Sequence, residues 1–127
     1  MKKVSLSLLG LFVMVCSLQP ASALPPINKE WTGKYVEGNG NAKFVEAVGT
    51  AKCNVCHVGT SKKEKNEYGA AVSKYITKAK YNEIKEDPDA AKKYIQEGLA
   101  KAEAEKGTAG KSYGEIIKSG ELPGGAP

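Results

Sequence analysis

Residues 53–57 of this 127-residue chain read Cys53-Asn54-Val55-Cys56-His57, and this stretch decides how the rest of the chain is expected to fold. Two thiols separated by two residues can form thioether bonds to the two vinyl groups of one porphyrin. An imidazole directly after the second thiol can then bind the porphyrin iron, since neutral imidazole is a common haem-iron ligand. The stretch therefore predicts one covalently bound haem c, attached at Cys53 and Cys56, with His57 as an axial ligand of the iron.

Three other uses of paired cysteines fit the chain less well. A redox-active Cys-x-x-Cys usually follows a strand in a βαβ unit, and no such strand pattern precedes Cys53. A structural zinc site needs four ligands, commonly as two separated pairs, whereas residues 24–127 contain no cysteine or histidine beyond Cys53, Cys56 and His57. A disulfide between Cys53 and Cys56 would close a very small loop and add little stability.

The first 23 residues have the composition of a secretory signal peptide. Two lysines precede an apolar run from Val4 to Leu18, and Ala21-Ser22-Ala23 supplies the small residues that a signal peptidase accepts. The run is short for a membrane span, although an uncleaved anchor is the alternative. We therefore predict a signal peptide at 1–23, export to the periplasm or an equivalent extracytoplasmic compartment, and no stable membrane span after cleavage.

The basic residues are unusual in kind, because all 19 are lysines and the chain contains no arginine. Removal of the two lysines in the leader leaves 17, against 14 acidic residues, and a net charge of +3. Proteins that bind nucleic acid rely on arginine for bidentate contacts, so no nucleic-acid partner is expected. Dispersed lysines would instead steer an acidic redox partner, or serve solubility alone.

The remaining 104 residues have the length of one small domain, which is marginally stable without help. Pro25, Pro26, Gly33 and Gly38 favour an extended N-terminal arm over residues 24–39, in which a helical turn would bring Trp31 and Tyr35 to one face. Helical periodicity begins after this arm. The first helix should follow an N-cap at Asn41 and lead into Cys53, with its apolar face formed by Phe44, Ala47, Val48 and Ala51.

Three further helices are predicted after residues 53–57, which we call the attachment stretch. Residues 58–65 read as a surface loop, and Asn66 should cap a helix whose apolar face is Tyr68, Val72, Tyr75, Ile76 and Ala79. A break is expected around 81–87, and Asp87-Pro88 should begin a helix that runs to Lys106.

The last predicted helix begins at Ser112, which forms a capping box with Glu115. No stretch shows strand-like alternation of useful length. The predicted fold class is therefore all-α. Tyr-Gly occurs just inside two helix starts, at Tyr68 and Tyr113, which nominates both tyrosines for similar packing roles.

A helix, CNVCH, a loop and later helices, in this order, resemble the class I monohaem cytochromes c. The phrase AKCNVCHVG, followed by lysines and NEYG, is also similar to small exported cytochromes of planctomycetes, including anammox bacteria. The resemblance implies a cytochrome c domain at 24–127, a helical fold wrapped around one covalent haem, and electron transfer. Some of the planctomycete proteins form haem-bearing heterodimers and bind nitric oxide, which implies a dimer, hetero or homo, and a diatomic ligand.

The chain departs from class I at the second axial position of the iron. His/Met ligation raises the reduction potential of a haem, but Met1 and Met14 both lie in the predicted leader and there is no second histidine. The sixth ligand is therefore a lysine, a tyrosine, an asparagine, the new N-terminal amine, water, a group from another subunit, or nothing. Tyr68, Tyr81 and Tyr113 are among the candidates.

Two functions follow from this departure. The first is an electron carrier with redox partner proteins and a potential below that of a His/Met cytochrome. The second is a haem protein that binds nitric oxide or a similar small molecule at an open sixth site. A conventional enzyme is not expected, because His57 would be committed to iron and no histidine remains for acid–base work. An adaptor role would leave the attachment stretch without use.

Overall fold

The structure, a computed structural model, describes residues 24–127, and the predicted signal peptide at 1–23 lies outside the described residues. The described part contains six α-helices and one small antiparallel hairpin, so it is mostly helical, as predicted. The elements are α1 (Pro25–Tyr35), α2 (Ala42–Ala51), β1 (His57–Val58), β2 (Glu64–Lys65), α3 (Glu67–Tyr75), α4 (Lys78–Ile84), α5 (Pro88–Ala104) and α6 (Tyr113–Lys118). None of these six helices combines the length and the apolar character needed to cross a bilayer.

The predicted helix starts at Asn41, Asn66, Asp87 and Ser112 are confirmed. Each of these side chains accepts a hydrogen bond from a backbone N–H in the first turn of its helix, which satisfies a group that the helix itself leaves unpaired. Ser112 and Glu115 form the reciprocal capping box. Local side-chain chemistry therefore places the beginning of α2, α3, α5 and α6.

The prediction of an extended N-terminal arm is wrong, because residues 25–35 form α1. Two prolines occupy its first turn, where the missing N–H groups are not needed. Trp31 and Tyr35 lie one turn apart and are both buried. Tyr35 also donates a hydrogen bond of 2.8 Å to Glu103 of α5. Packing against α5 stabilises a helix that its own sequence specifies only weakly.

The predicted helix after Asn66 is broken in two. It ends at Tyr75, and a separate helix, α4, spans Lys78–Ile84. The predicted break around 81–87 is therefore wrong for residues 81–84, which are helical. Thr77 is the reason, since its side chain caps α4 and its N–H is bound by the hydroxyl oxygen of Tyr94 at 2.9 Å. Ala79 is consequently exposed and not on the core face.

α5 is the central helix of the domain and packs against α1, α3, α4 and α6. It ends at Ala104, two residues before the predicted Lys106. Its buried face contains Ala91, Ile95, Gly98, Leu99 and Ala102, which lie on one side of the helix. The buried core of the described residues is Trp31, Tyr35, Phe44, Ala51, Val55, Tyr68, Ala71, Val72, Ile76, Ile95, Leu99, Ala102, Tyr113 and Ile117.

Aromatic side chains link the N-terminal helix to the centre of this core. The Trp31 indole N–H donates a hydrogen bond of 2.8 Å to the hydroxyl oxygen of Tyr68. The rings of Tyr68 and Tyr113 meet edge to face, with centroids 5.1 Å apart. The similar packing roles predicted for these two tyrosines are confirmed, and such pairs contribute about 0.5–1.5 kcal/mol beyond burial.

Candidate functional site

The attachment stretch sits at a sharp change in chain direction after α2. Lys52 has φ 50° and ψ −119°, a backbone conformation that is strained for a residue with a side chain. A 3-10 helix then spans Lys52–Val55, with Val55 buried in the core and Cys53 exposed. The strained turn therefore ends α2 and brings the first thiol to the surface while Val55 anchors the segment.

The two thiols and the imidazole lie in one cleft of about 370 Å³, which is within the range of about 300–1,000 Å³ typical of cofactor sites. Cys53, Cys56 and His57 all line it. The apolar lining comes from Leu24, Ile27, Trp31, Val55, Val72 and Ile76. Helices α1 and α3 thus provide a hydrophobic surface beside the residues that sequence analysis selected.

His57 is held in a defined orientation by the hairpin that follows it. Its Nδ1 atom lies 3.2 Å from the carbonyl oxygen of Glu64, and its backbone pairs with Lys65. A carbonyl oxygen can only accept a hydrogen bond, so this contact selects the tautomer with the proton on Nδ1. Nε2 then carries the lone pair that a metal ligand needs, an arrangement common among metal-binding histidines.

Cys53 and Cys56 are both free thiols in the structure. Burial, together with the nearby Cys53, raises the pKa of Cys56 to about 12. A thiol with that pKa is protonated at neutral pH, whereas the reactive cysteine of a thiol–disulfide enzyme has a lowered pKa. Cys56 is therefore a poor nucleophile as the free thiol.

The cleft also contains a cluster of lysines, which we call the lysine rim. It consists of Lys52, Lys62, Lys63, Lys65 and Lys78, and the residues that line the cleft include no Asp or Glu. Lys62 is tied down, because its ammonium group donates hydrogen bonds to the Asn54 side chain and, at 3.1 Å, to the carbonyl oxygen of Gly59. The other polar lining groups are Asn28, Ser73 and Thr77.

The three tyrosines considered as sixth ligands are not brought to this cleft. Tyr68 and Tyr113 are buried in the core, and burial raises the pKa of both hydroxyls. Tyr81 instead lines a second, shallower hollow between α1, α4 and α5. Lysine and asparagine side chains remain as candidates within the described residues, since Asn28 and the lysine rim do line the cleft.

Sequence analysis expected a helical turn with Trp31 and Tyr35 on one face, but it did not predict α1 as a whole or its other contributions to the site. Leu24, Ile27, Asn28 and Trp31 all line the cleft, although residues 24–39 read as an arm without sustained periodicity. The available signal was the four-residue spacing of Trp31 and Tyr35, which is one helical turn. Gly69 also lines the cleft, and its close contact with the backbone of Cys56 is a tertiary feature that the sequence did not specify.

The donor set fits a covalently attached haem. Two thiols separated by two residues, an imidazole with its Nδ1 hydrogen-bonded to a carbonyl, and an apolar wall meet in one cleft. Within residues 24–127, no group of three or more His, Cys, Asp or Glu side chains is arranged to hold a bare metal ion.

Comparisons with protein families, curated proteins and solved structures gave no match to this chain.

Proposed function

We propose that this protein is an exported monohaem cytochrome c that carries single electrons. The observation that carries the proposal is the convergence of Cys53, Cys56 and His57 in one apolar cleft, with His57 Nδ1 bonded to Glu64. Bound haem would supply the one-electron couple of its iron. The chain supplies the attachment, the orientation and the surroundings of that group.

Each of the three residues has a separate task under this proposal. Cys53 and Cys56 would hold the porphyrin through thioether bonds, and His57 Nε2 would bind the iron on one side. The Glu64 carbonyl fixes the imidazole plane and increases the electron donation of the ligand. Ile27, Trp31, Val72 and Ile76 would exclude water from the porphyrin faces, and lower polarity disfavours the charged ferric state.

The lysine rim supports an acidic redox partner as the protein that docks at the cleft. Five lysines and no carboxylate line the opening, so the local potential is positive although the net charge of the chain is small. A positive surface around a redox centre increases the encounter rate with negatively charged partners. We further propose that the protein is exported to the periplasm and that it does not act as an acid–base enzyme.

A second function is favoured by the polar groups on the cleft walls. Asn28, Ser73 and Thr77 line the cleft beside the lysine rim, and none of the described residues is a methionine or a second histidine. These groups are weak iron ligands compared with the missing ones. A sixth site that is open or easily vacated would bind nitric oxide or a similar diatomic molecule, in the chain alone or in a dimer.

The deciding experiment is expression of the full chain in a host that attaches haem, followed by intact mass and optical spectra. One covalent haem, with attachment impaired in Cys53→Ala and in Cys56→Ala, is the expected result. A folded, colourless wild-type protein would overturn the proposal. Ferric and ferrous spectra with nitric oxide or carbon monoxide separate the two functions. Unchanged low-spin spectra indicate the carrier, and rapid binding indicates the gas-binding protein.

A further inference from the structure

We propose that Asn66 is a positioning residue for the haem-attachment segment, defined as residues 53–57. This inference rests on the proposed function, because it concerns how the two thiols and the imidazole are held for one cofactor. Asn66 directly follows β2, caps α3 and does not itself line the cleft. Its role would be exerted through the backbone of the segment.

Both polar atoms of the Asn66 side chain, Oδ1 and Nδ2, form hydrogen bonds. Its Oδ1 accepts the N–H of Gly69 at 2.9 Å, which is the N-cap of α3. Its Nδ2 donates to the carbonyl oxygens of Asn54 at 3.2 Å and Val55 at 3.0 Å. A simple N-cap needs only the oxygen. The amide nitrogen therefore performs a second task, which is to hold the 3-10 helix that contains Cys53 and leads into Cys56.

The backbone of Asn66 adds a third contact to the same segment. Its N–H donates to the carbonyl oxygen of Cys56 at 3.0 Å. One residue thus satisfies three successive carbonyl groups, those of Asn54, Val55 and Cys56. Such carbonyls at the end of a short helix lack partners within the helix. The three hydrogen bonds therefore hold the backbone that connects the two cysteines and includes Cys56.

The two residues that precede Asn66 contact His57, the last residue of the attachment segment. The Glu64 carbonyl accepts from His57 Nδ1, and Lys65 pairs with the His57 backbone. Residues 64–66 are consecutive, so one short stretch contacts four of the five residues of the attachment segment, from Asn54 to His57. The stretch leads directly into α3, whose Tyr68 is fully buried. Asn66 therefore connects the rigid core to the site where the cofactor would be bound.

Asn66→Ser and Asn66→Asp separate the two tasks, because both residues are good N-caps and neither carries an amide donor. Asn66→Asp adds a charge, and Asn66→Ser does not, so an effect common to both reports the loss of the donor. Asn41→Ser and Asn41→Asp are the matched controls. Asn41 caps α2 through the same oxygen, at Phe44, and lies outside the attachment segment.

The full chain is expressed with each substitution in a host that attaches haem. We expect both Asn66 variants to show at least a threefold lower haem-to-protein ratio and a higher fraction of singly attached haem by intact mass. Amide hydrogen exchange at residues 53–58 should rise at least tenfold, while exchange in α5 is unchanged. Both Asn41 variants should retain wild-type haem content and wild-type exchange in the segment.

Equal haem content and equal segment exchange in wild type and both Asn66 variants would overturn the inference and leave the proposed function intact. A wild-type protein without haem would overturn the proposed function. The exchange comparison is made on whichever form purifies, so it still decides whether Asn66 fixes the segment. Exchange that rises equally throughout the chain would show a general capping role and would also overturn the inference.

Discussion

The Cα atom of Gly69 packs directly against the carbonyl group of Cys56, so closely that a β-carbon on residue 69 would overlap the carbonyl oxygen. Gly69 lies within the first turn of α3, where glycine is intrinsically unfavourable for a helix. The contact explains the choice of residue, because only glycine lets α3 approach the attachment segment this closely. It also joins the core helix to the second attachment cysteine through backbone atoms.

Gly69→Ala should therefore lower stability and disturb the site together. We expect a loss of about 1–3 kcal/mol in the free energy of unfolding, since backbone at this contact cannot move away as a flexible side chain would. Haem content should fall in the same variant. Thermal or urea unfolding, with haem quantified in parallel, measures both effects.

Gly49→Ala is the matched control for that substitution. Gly49 lies in α2, and a β-carbon there would meet open space. Alanine should stabilise this helix by about 0.5–1 kcal/mol through its higher propensity. A Gly69→Ala protein as stable as wild type would show that the backbone contact imposes no restriction.

The starts of four helices could be predicted from sequence because capping is local chemistry. Asn41, Asn66, Asp87 and Ser112 each act within three residues of their own position. α1 could not be predicted, because its stability comes from the burial of Trp31 against residues far along the chain.

The same distinction applies to the site. Cys53, Cys56 and His57 are adjacent in sequence, so a pattern of five residues identifies them. Other features of the site depend on tertiary packing. These are the apolar wall from α1 and α3, the position of the three tyrosines outside the cleft, and the hydrogen bonds from Asn66 to the attachment segment. Spacing along the chain carries no information about such contacts.

Tyr68→Phe tests the buried link between α1 and α3. The substitution removes the hydroxyl that accepts the Trp31 indole N–H at 2.8 Å and leaves that donor unpaired in the core. We expect a loss of about 1–3 kcal/mol, as is typical of an unsatisfied buried donor. Chemical unfolding followed by Trp31 fluorescence measures it.

A double-mutant cycle provides the control for Tyr68→Phe. Trp31→Phe removes the donor as well, so the two substitutions together should cost less than the sum of the single ones. Additive losses would mean that the hydrogen bond contributes no coupling energy, and that only ring packing matters at these two positions.

Glu103 should make the fold sensitive to acid. Partial burial alone would raise the pKa of its carboxyl group, but hydrogen bonds from Lys34 and Tyr35, both 2.8 Å, and the charge of Lys34 hold that pKa below the ordinary value of 4.5. The unfolded chain then binds a proton more readily than the folded one. The stabilisation is complete above pH 4.5 and is lost as the pH falls through the folded-state pKa.

Glu103→Gln should therefore be less stable than wild type at neutral pH, and the difference should shrink as the pH falls below 4.5. Melting temperatures measured between neutral and acidic pH give the comparison. Glu97→Gln is the control, because Glu97 forms only an exposed pair with Lys93 at 3.9 Å. A constant difference between Glu103→Gln and wild type over the whole range would contradict the assignment.

The lysine rim should increase the rate of electron transfer between the haem-containing protein and anionic oxidants. Replacement of Lys63, Lys65 and Lys78 by glutamine removes three positive charges from the cleft while Lys62, which is bonded to Asn54, is kept. Stopped-flow oxidation by ferricyanide should slow about 3–10-fold at low ionic strength, and the salt dependence should become weaker.

A second triple variant distinguishes local from overall charge. Lys29, Lys85 and Lys92 line the shallow hollow between α1, α4 and α5, and none of the three lines the cleft. Their replacement by glutamine changes the net charge by the same amount. If electron transfer occurs at the cleft, this variant should slow less than the first one, most clearly at an ionic strength of about 0.1 M, where the Debye length is about 10 Å and more distant charges are screened. Equal slowing in both triple variants would place the effect in the net charge and remove the support for the lysine rim as the docking surface.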